Sequence, residues 1–165
     1  MTLKIDHLLG RQFIYGRQDC YALMREFYQD NFGIEMRDYA CPDSWHDDGA
    51  LNLMAENIED EGFKVVPDFN LRDFRVGDLL LMAMFTPVGS HMAVYIGDGQ
   101  VLHHMLGRLS EVTPLRGEAI NTLIGVYRHP KVQADLGEPP PADIREFMSP
   151  MARARLEKRL AAKGL

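Results

Sequence analysis

Four side chains in this sequence could together carry out covalent chemistry: the thiol of Cys20 and the imidazoles of His91, His103 and His104. A sulfur nucleophile with a nearby base is the minimum equipment for acyl transfer, in which sulfur attacks a carbonyl and the base hands the proton to the leaving group. A cysteine with an ordinary pKa of about 8.5 is only a few per cent thiolate at neutral pH. It needs a helix N-terminus, a neighbouring imidazolium, or both. The base in turn needs a third group that fixes its tautomer and its direction.

The local elements supply such positions. From Asp19 the apolar residues Leu23 and Phe27, and Met24 and Tyr28, recur at the helical spacing until Gly33 closes the segment. Asp19 is the natural N-cap and Cys20 the first helical residue, so the positive end of the helix dipole falls on the sulfur. His91 follows the Gly89-Ser90 pair and opens a strand running to Ile96; the Gly97-Asp98-Gly99 turn then leads into a strand over 100–105 that carries His103 and His104. Hairpin parity decides which of the two joins His91. With a three-residue loop, Ile96 faces Gln100, Ala93 faces His103, and His91 and His103 are diagonal neighbours on one face. With Asp98-Gly99 alone as the loop, Ala93 faces His104 instead. Periodicity leaves both open, because a slip of one residue exchanges the faces.

Around this centre the sequence predicts a short helix within 5–13 ended at Gly10 and an irregular crossing over 34–49. A second helix follows over about 50–60, with strands at 63–66, 79–85, 109–113 and 123–128. The run from Leu79 to Phe85 is apolar without alternation, the pattern of a strand covered on both faces. Helices precede a set of five or six antiparallel strands, an α+β layout in one domain over 1–130. A Pro-rich linker at 131–141 and a basic helical tail at 142–165 follow. The tail reads either as a solvated helix or as a docking helix for a partner.

Composition removes several classes of function. With a net charge of −6 the chain has no electrostatic footprint for nucleic acid, so no nucleic-acid partner is expected. The uncharged run Leu79 to Gly97 is broken by Pro87, Gly89, Ser90 and His91, which reads as two strands and a turn and predicts no membrane span. The N-terminus lacks an apolar signal region, predicting synthesis in a cytoplasm without export by that route. Two cysteines, Cys20 and Cys41, make no disulfide framework. A zinc site from Cys20, Cys41, His91 and His103 or His104 is the rival chemistry, but no metal-ligand spacing supports it and no metal or other cofactor is expected. Asp43, Asp47 and Asp48 lack calcium-loop spacing and read as a solvated loop.

Taken together, Asp19-Cys20 before a helix, Gly77-Asp78-Leu79-Leu80, His91-Met-Ala-Val-Tyr-Ile-Gly and Leu102-His103 make the chain similar to the NlpC/P60 cysteine peptidases over roughly 10–128. The twelve-residue interval from His91 to His103 fits that family's base-to-orienter spacing. The resemblance implies a papain-like α+β fold with Cys20 as nucleophile, His91 as base and His103 as its orienter. It also implies hydrolysis of peptidoglycan stem peptides at the bond between D-glutamate and diaminopimelate. Within the family, the stretches 13–21 and 91–110 resemble the phage tail-tip group. That implies a virion tail-tip location, other tail-tip proteins as partners, assembly in the host cytoplasm and action in the periplasm. The alternative it carries is a structural tail-assembly protein of the same fold with little or no catalysis. Two departures stand out. Tyr21-Ala22 follows the cysteine where the wall enzymes usually have Ser-Gly, and the upstream Tyr-x-x-Gly-Gly is absent, leaving Tyr15 as the oxyanion donor.

Overall fold

The computed structural model describes residues 2–39 and 52–132 of the 165. Cys41, Trp45, the aspartates at 43, 47 and 48, the linker beyond Val132 and the tail at 142–165 lie outside the described residues.

Helix α1 (Cys20–Phe32) is bounded as its sequence dictates. The Asp19 carboxylate accepts from the Ala22 N–H at 3.0 Å, and Gly33, at φ +59°, donates its N–H to the Gln29 carbonyl while Ile34 reaches the Tyr28 carbonyl. The first expected helix is a single 3₁₀ turn, Asp6–Leu8, ended before Gly10. Helix α2 (Leu53–Asp60) matches the second within the described residues.

Six strands follow: β1 (Lys64–Val65), β2 (Leu79–Met82), β3 (His91–Gly97), β4 (Gln100–His103), β5 (Glu111–Pro114) and, after the four-residue helix α3 (Glu118–Asn121), β6 (Leu123–Arg128). They form one antiparallel sheet in the order β1-β6-β2-β3-β4-β5. β2 and β3 lie at the centre. All four residues of β2 are buried, because the sheet is covered on both sides. On one face Leu79, Leu81, Met92, Val94 and Leu102 join Leu23, Met24, Phe27 and Tyr28 of α1. On the other, Leu80, Met82, Ala93, Val101 and Val126 are closed over by Phe69, Phe74, Tyr95 and Leu115. The Tyr28 hydroxyl, fully buried, donates to the Gly77 carbonyl at 3.1 Å and so ties α1 to the approach of β2. Among the described residues no helix is long and apolar enough to cross a membrane.

The β3–β4 hairpin combines the shorter of the two expected loops with the histidine pairing expected of the longer one. Gly97, not Ile96, stands opposite Gln100, so the loop is the two-residue Asp98-Gly99, with both residues at positive φ. A bulge between Tyr95 and Gly97 then adds one residue to β3. The short loop alone would have brought His104 opposite Ala93; the bulge restores parity, and Ala93 pairs with His103.

Candidate active site

Cys20 is the first residue of α1 and is 6% exposed. Asp19 holds it in place from both sides, one carboxylate oxygen on the Ala22 N–H and the other on the Gly16 N–H at 2.9 Å. The preceding segment is a tight turn. Ile14 and Gln18 exchange backbone hydrogen bonds at 2.9 and 2.7 Å, and Tyr15-Gly16 form the tip. A cavity of about 290 Å³ opens beside Cys20, walled by Tyr15, Tyr21, Tyr39, Met54, Ser90 and Met92 among others. Tyr15 is half exposed there. Tyr21, in the place of the usual serine, donates its hydroxyl to the Arg37 carbonyl at 2.9 Å, and burial raises its pKa above the tyrosine range. It braces the wall.

His91 is the first residue of β3, opposite Met82 at the end of β2, and is 6% exposed. Ser90 fixes the approach to it, its hydroxyl accepting from the Met84 N–H at 3.0 Å and donating to the Met84 carbonyl at 3.1 Å. The His91 Nε2 lies 3.1 Å from His103 Nδ1. His103 Nε2 lies 3.0 Å from Thr113 Oγ1. The three residues share the face that carries Ala93 and Val101, crossing β3, β4 and β5 in diagonal steps of two residues. α1 covers the opposite face. This chain and α1 can therefore meet only at the end of the sheet, where Ser90 and Met92, the neighbours of His91, border the same cavity as Cys20.

Burial is the main electrostatic influence. It lowers His91 to about 3, helped by the nearby His103 and His104. His103 is also lowered by burial, against an opposing pull from Glu111. At neutral pH these rings are uncharged, the form in which an imidazole accepts a proton.

The structure separates the two adjacent histidines. His103 contacts His91, whereas His104 is fully buried with its ring edge-on to Phe13 at 5.2 Å. Neither of its ring nitrogens has a hydrogen bond of normal geometry among the described residues. No group of three or more His, Cys, Asp or Glu among the described residues is placed to hold a metal. Cys41, required by the zinc alternative, lies outside them. Sequence reasoning missed Thr113, whose only signal was the β4–β5 register. It also missed the outer wall, where Arg25 is paired with Asp38 at 2.8 Å.

Comparison with known proteins extends the same observations. The model of the NlpC/P60 family matches residues 10–128. The chain is 41% identical over 107 residues to tail tip assembly protein K of Escherichia phage lambda, covering 65% of this chain and 51% of that protein. It is 25% identical over 132 residues to tail tip assembly protein K of Escherichia phage N15, covering 78% and 51% respectively. It thus spans about half the length of these curated relatives. Among solved structures, an NlpC/P60 family protein from Bacillus cereus superposes with a TM-score of 0.51 at 23% identity, covering 74% of this chain and 36% of that one. A lipoprotein-like NLP/P60 family protein from Staphylococcus aureus gives 0.52 at 17% identity, covering 74% and 37%. Identities this low speak to the fold.

Proposed function

The chain belongs to the NlpC/P60 family, and from that membership and the geometry above we propose that it is a cysteine peptidase of peptidoglycan stem peptides. Cys20 is the nucleophile, His91 the base and His103 the group that orients the base. The observation that carries this reading is the 3.1 Å contact between His91 Nε2 and His103 Nδ1, at the end of the sheet where Cys20 borders the cavity. With Nε2 of His91 engaged, Nδ1 is the nitrogen that meets the sulfur. The thiol proton passes to Nδ1 as sulfur attacks the carbonyl, and returns to the departing amine; water then releases the acyl group from sulfur by the reverse sequence. The Cys20 N–H, at the start of α1, and the Tyr15 hydroxyl are the oxyanion donors of this scheme.

The bond cut is that between D-glutamate and diaminopimelate, and the setting is a phage tail tip that loosens murein in the periplasm during entry, beside other tail-tip proteins. The lambda and N15 relatives support that setting. Purified murein incubated with the wild-type chain and with Cys20→Ala tests the reading. The expected result is release of fragments with a new diaminopimelate amine by the wild type alone. No release by the wild type, or equal release by the variant, overturns it.

A second reading is favoured by what the curated relatives are named for, tail tip assembly. In it the fold serves as a tail component with hydrolysis weak or unused. Virions carrying Cys20→Ala that assemble and infect as well as wild type would support it.

A further inference from the structure

We propose that Thr113 is a positioning residue of this site: its hydroxyl accepts the Nε2 proton of His103, which fixes the tautomers of both rings and leaves Nδ1 of His91 able to accept a proton. The consequence for catalysis rests on the peptidase reading. The geometry does not.

A neutral imidazole has one donor nitrogen and one acceptor nitrogen. The two contacts at 3.1 and 3.0 Å therefore allow only two hydrogen-bond directions along the chain from His91 through His103 to Thr113. In one, His91 Nε2–H donates to His103 Nδ1 and His103 Nε2–H donates to Thr113 Oγ1; His91 Nδ1 is then a bare acceptor. In the other, Thr113 donates, both rings reverse, and Nδ1 of His91 carries hydrogen and cannot act as a base. The partner on the outer ring thus sets the state of the inner one, two strands away. A buried histidine whose second nitrogen is fixed in this way is held in tautomer and in ring orientation.

The choice of a hydroxyl matters, because a carboxylate stands nearer in the ladder. Glu111 pairs directly with His103 in the β4–β5 register, but its carboxylate is engaged by Arg108 at 2.8 Å. Thr113, two residues further along β5 on the same face, makes the ring contact instead. A carboxylate on His103 would favour an imidazolium. The hydroxyl orients the ring and leaves it neutral.

The test is nitrogen NMR of histidine-labelled protein together with kinetics of Thr113→Val and Thr113→Ser. In the wild type, His103 is expected to carry hydrogen on Nε2 and none on Nδ1; hydrogen on Nδ1 overturns the proposal whatever the variants do. Thr113→Val is expected to lower kcat on murein about tenfold at unchanged KM and to disturb the His103 tautomer signal, while Thr113→Ser restores both. A valine variant with wild-type kcat and tautomer signals, or a serine variant that fails to restore them, also overturns it. The NMR arm needs no substrate, so it stands apart from the murein assay of Cys20→Ala that tests the peptidase reading.

Discussion

The two ends of strand β2 carry two buried polar clusters built on opposite plans. Beside Leu79, Asp78 is fully enclosed and both of its carboxylate oxygens are engaged. Its Oδ1 takes Arg128 Nε at 2.8 Å, and its Oδ2 takes both Arg128 Nη2 and the Arg75 N–H at 2.8 Å. At the other end, opposite Met82, His91 and His103 carry no charge and pass hydrogen bonds in single file to a hydroxyl. Both clusters answer the cost of burying polar groups. The first meets an ion with an ion and engages both carboxylate oxygens. The second gives up charge, which leaves a nitrogen whose state can change. One staples the β2 and β6 ends together; the other is suited to move a proton.

The sharpest way to break this contrast is a matched pair of substitutions. His91→Gln is expected to lower the rate on murein by about 10⁴-fold or more, since loss of one member of a catalytic unit costs nearly as much as loss of all. Its urea midpoint should stay close to that of the wild type at neutral pH. Asp78→Asn leaves Arg128, 19% exposed, without its counter-charge and should lower stability by about 3 kcal/mol, with kcat of the folded fraction unchanged. An Asp78→Asn protein as stable as wild type, or a His91→Gln protein that keeps its rate, would remove the distinction between the two ends.

The next effect is on stability against pH. His91 has a folded pKa of about 3, below the ordinary 6.5 of the unfolded chain, so between those values the unfolded state takes up a proton that the folded state refuses. Its contribution is complete above pH 6.5, is lost as pH falls, and stops changing near pH 3. The slope is about 1 kcal/mol per pH unit for each such histidine. His103 and His104 are lowered in the same direction by burial and steepen it. Urea midpoints at a series of pH values from 7 to 4 should show this loss, and His91→Gln should flatten it by one proton's worth. An unchanged slope would place the acid sensitivity elsewhere.

What could be read in advance divides along a physical line. The start and end of α1 were legible because capping is local: Asp19 and Gly33 act on backbone groups three or four residues away. The burial of β2 on both faces showed as four consecutive apolar residues. Periodicity did not choose between His103 and His104, because the choice depends on a bulge that changes the count without leaving a distinctive residue pattern; His103 came from the resemblance alone. Thr113 was further out of reach. Its place depends on the β4–β5 register, and the 104–110 connection carries no two-residue turn signal to set it. Helix α3 has four residues, too few for a period.

The smallest effect bears on that register. Gly97 sits at φ +101°, outside the left-handed region that other residues tolerate, and a Cβ there would stand 3.4 Å from Val76 Cγ2. Gly97→Ala should therefore cost about 1 to 3 kcal/mol of stability, and the chain can relieve the strain by moving the bulge. A move that removes the bulge or carries it past Ala93 slips β4 by one residue there and exchanges the faces of His103 and His104. Gly99 is the internal control. At φ +68° with no atom within 4 Å of a Cβ, Gly99→Ala should cost only about 1 kcal/mol and leave the pairing intact. Cross-strand contacts between Ala93 and His103, measured by NMR in both variants, separate the outcomes. Weakening in Gly97→Ala alone makes the bulge the device that selects the histidine. Equal behaviour in the two variants would assign that selection to the packing of His104 against Phe13.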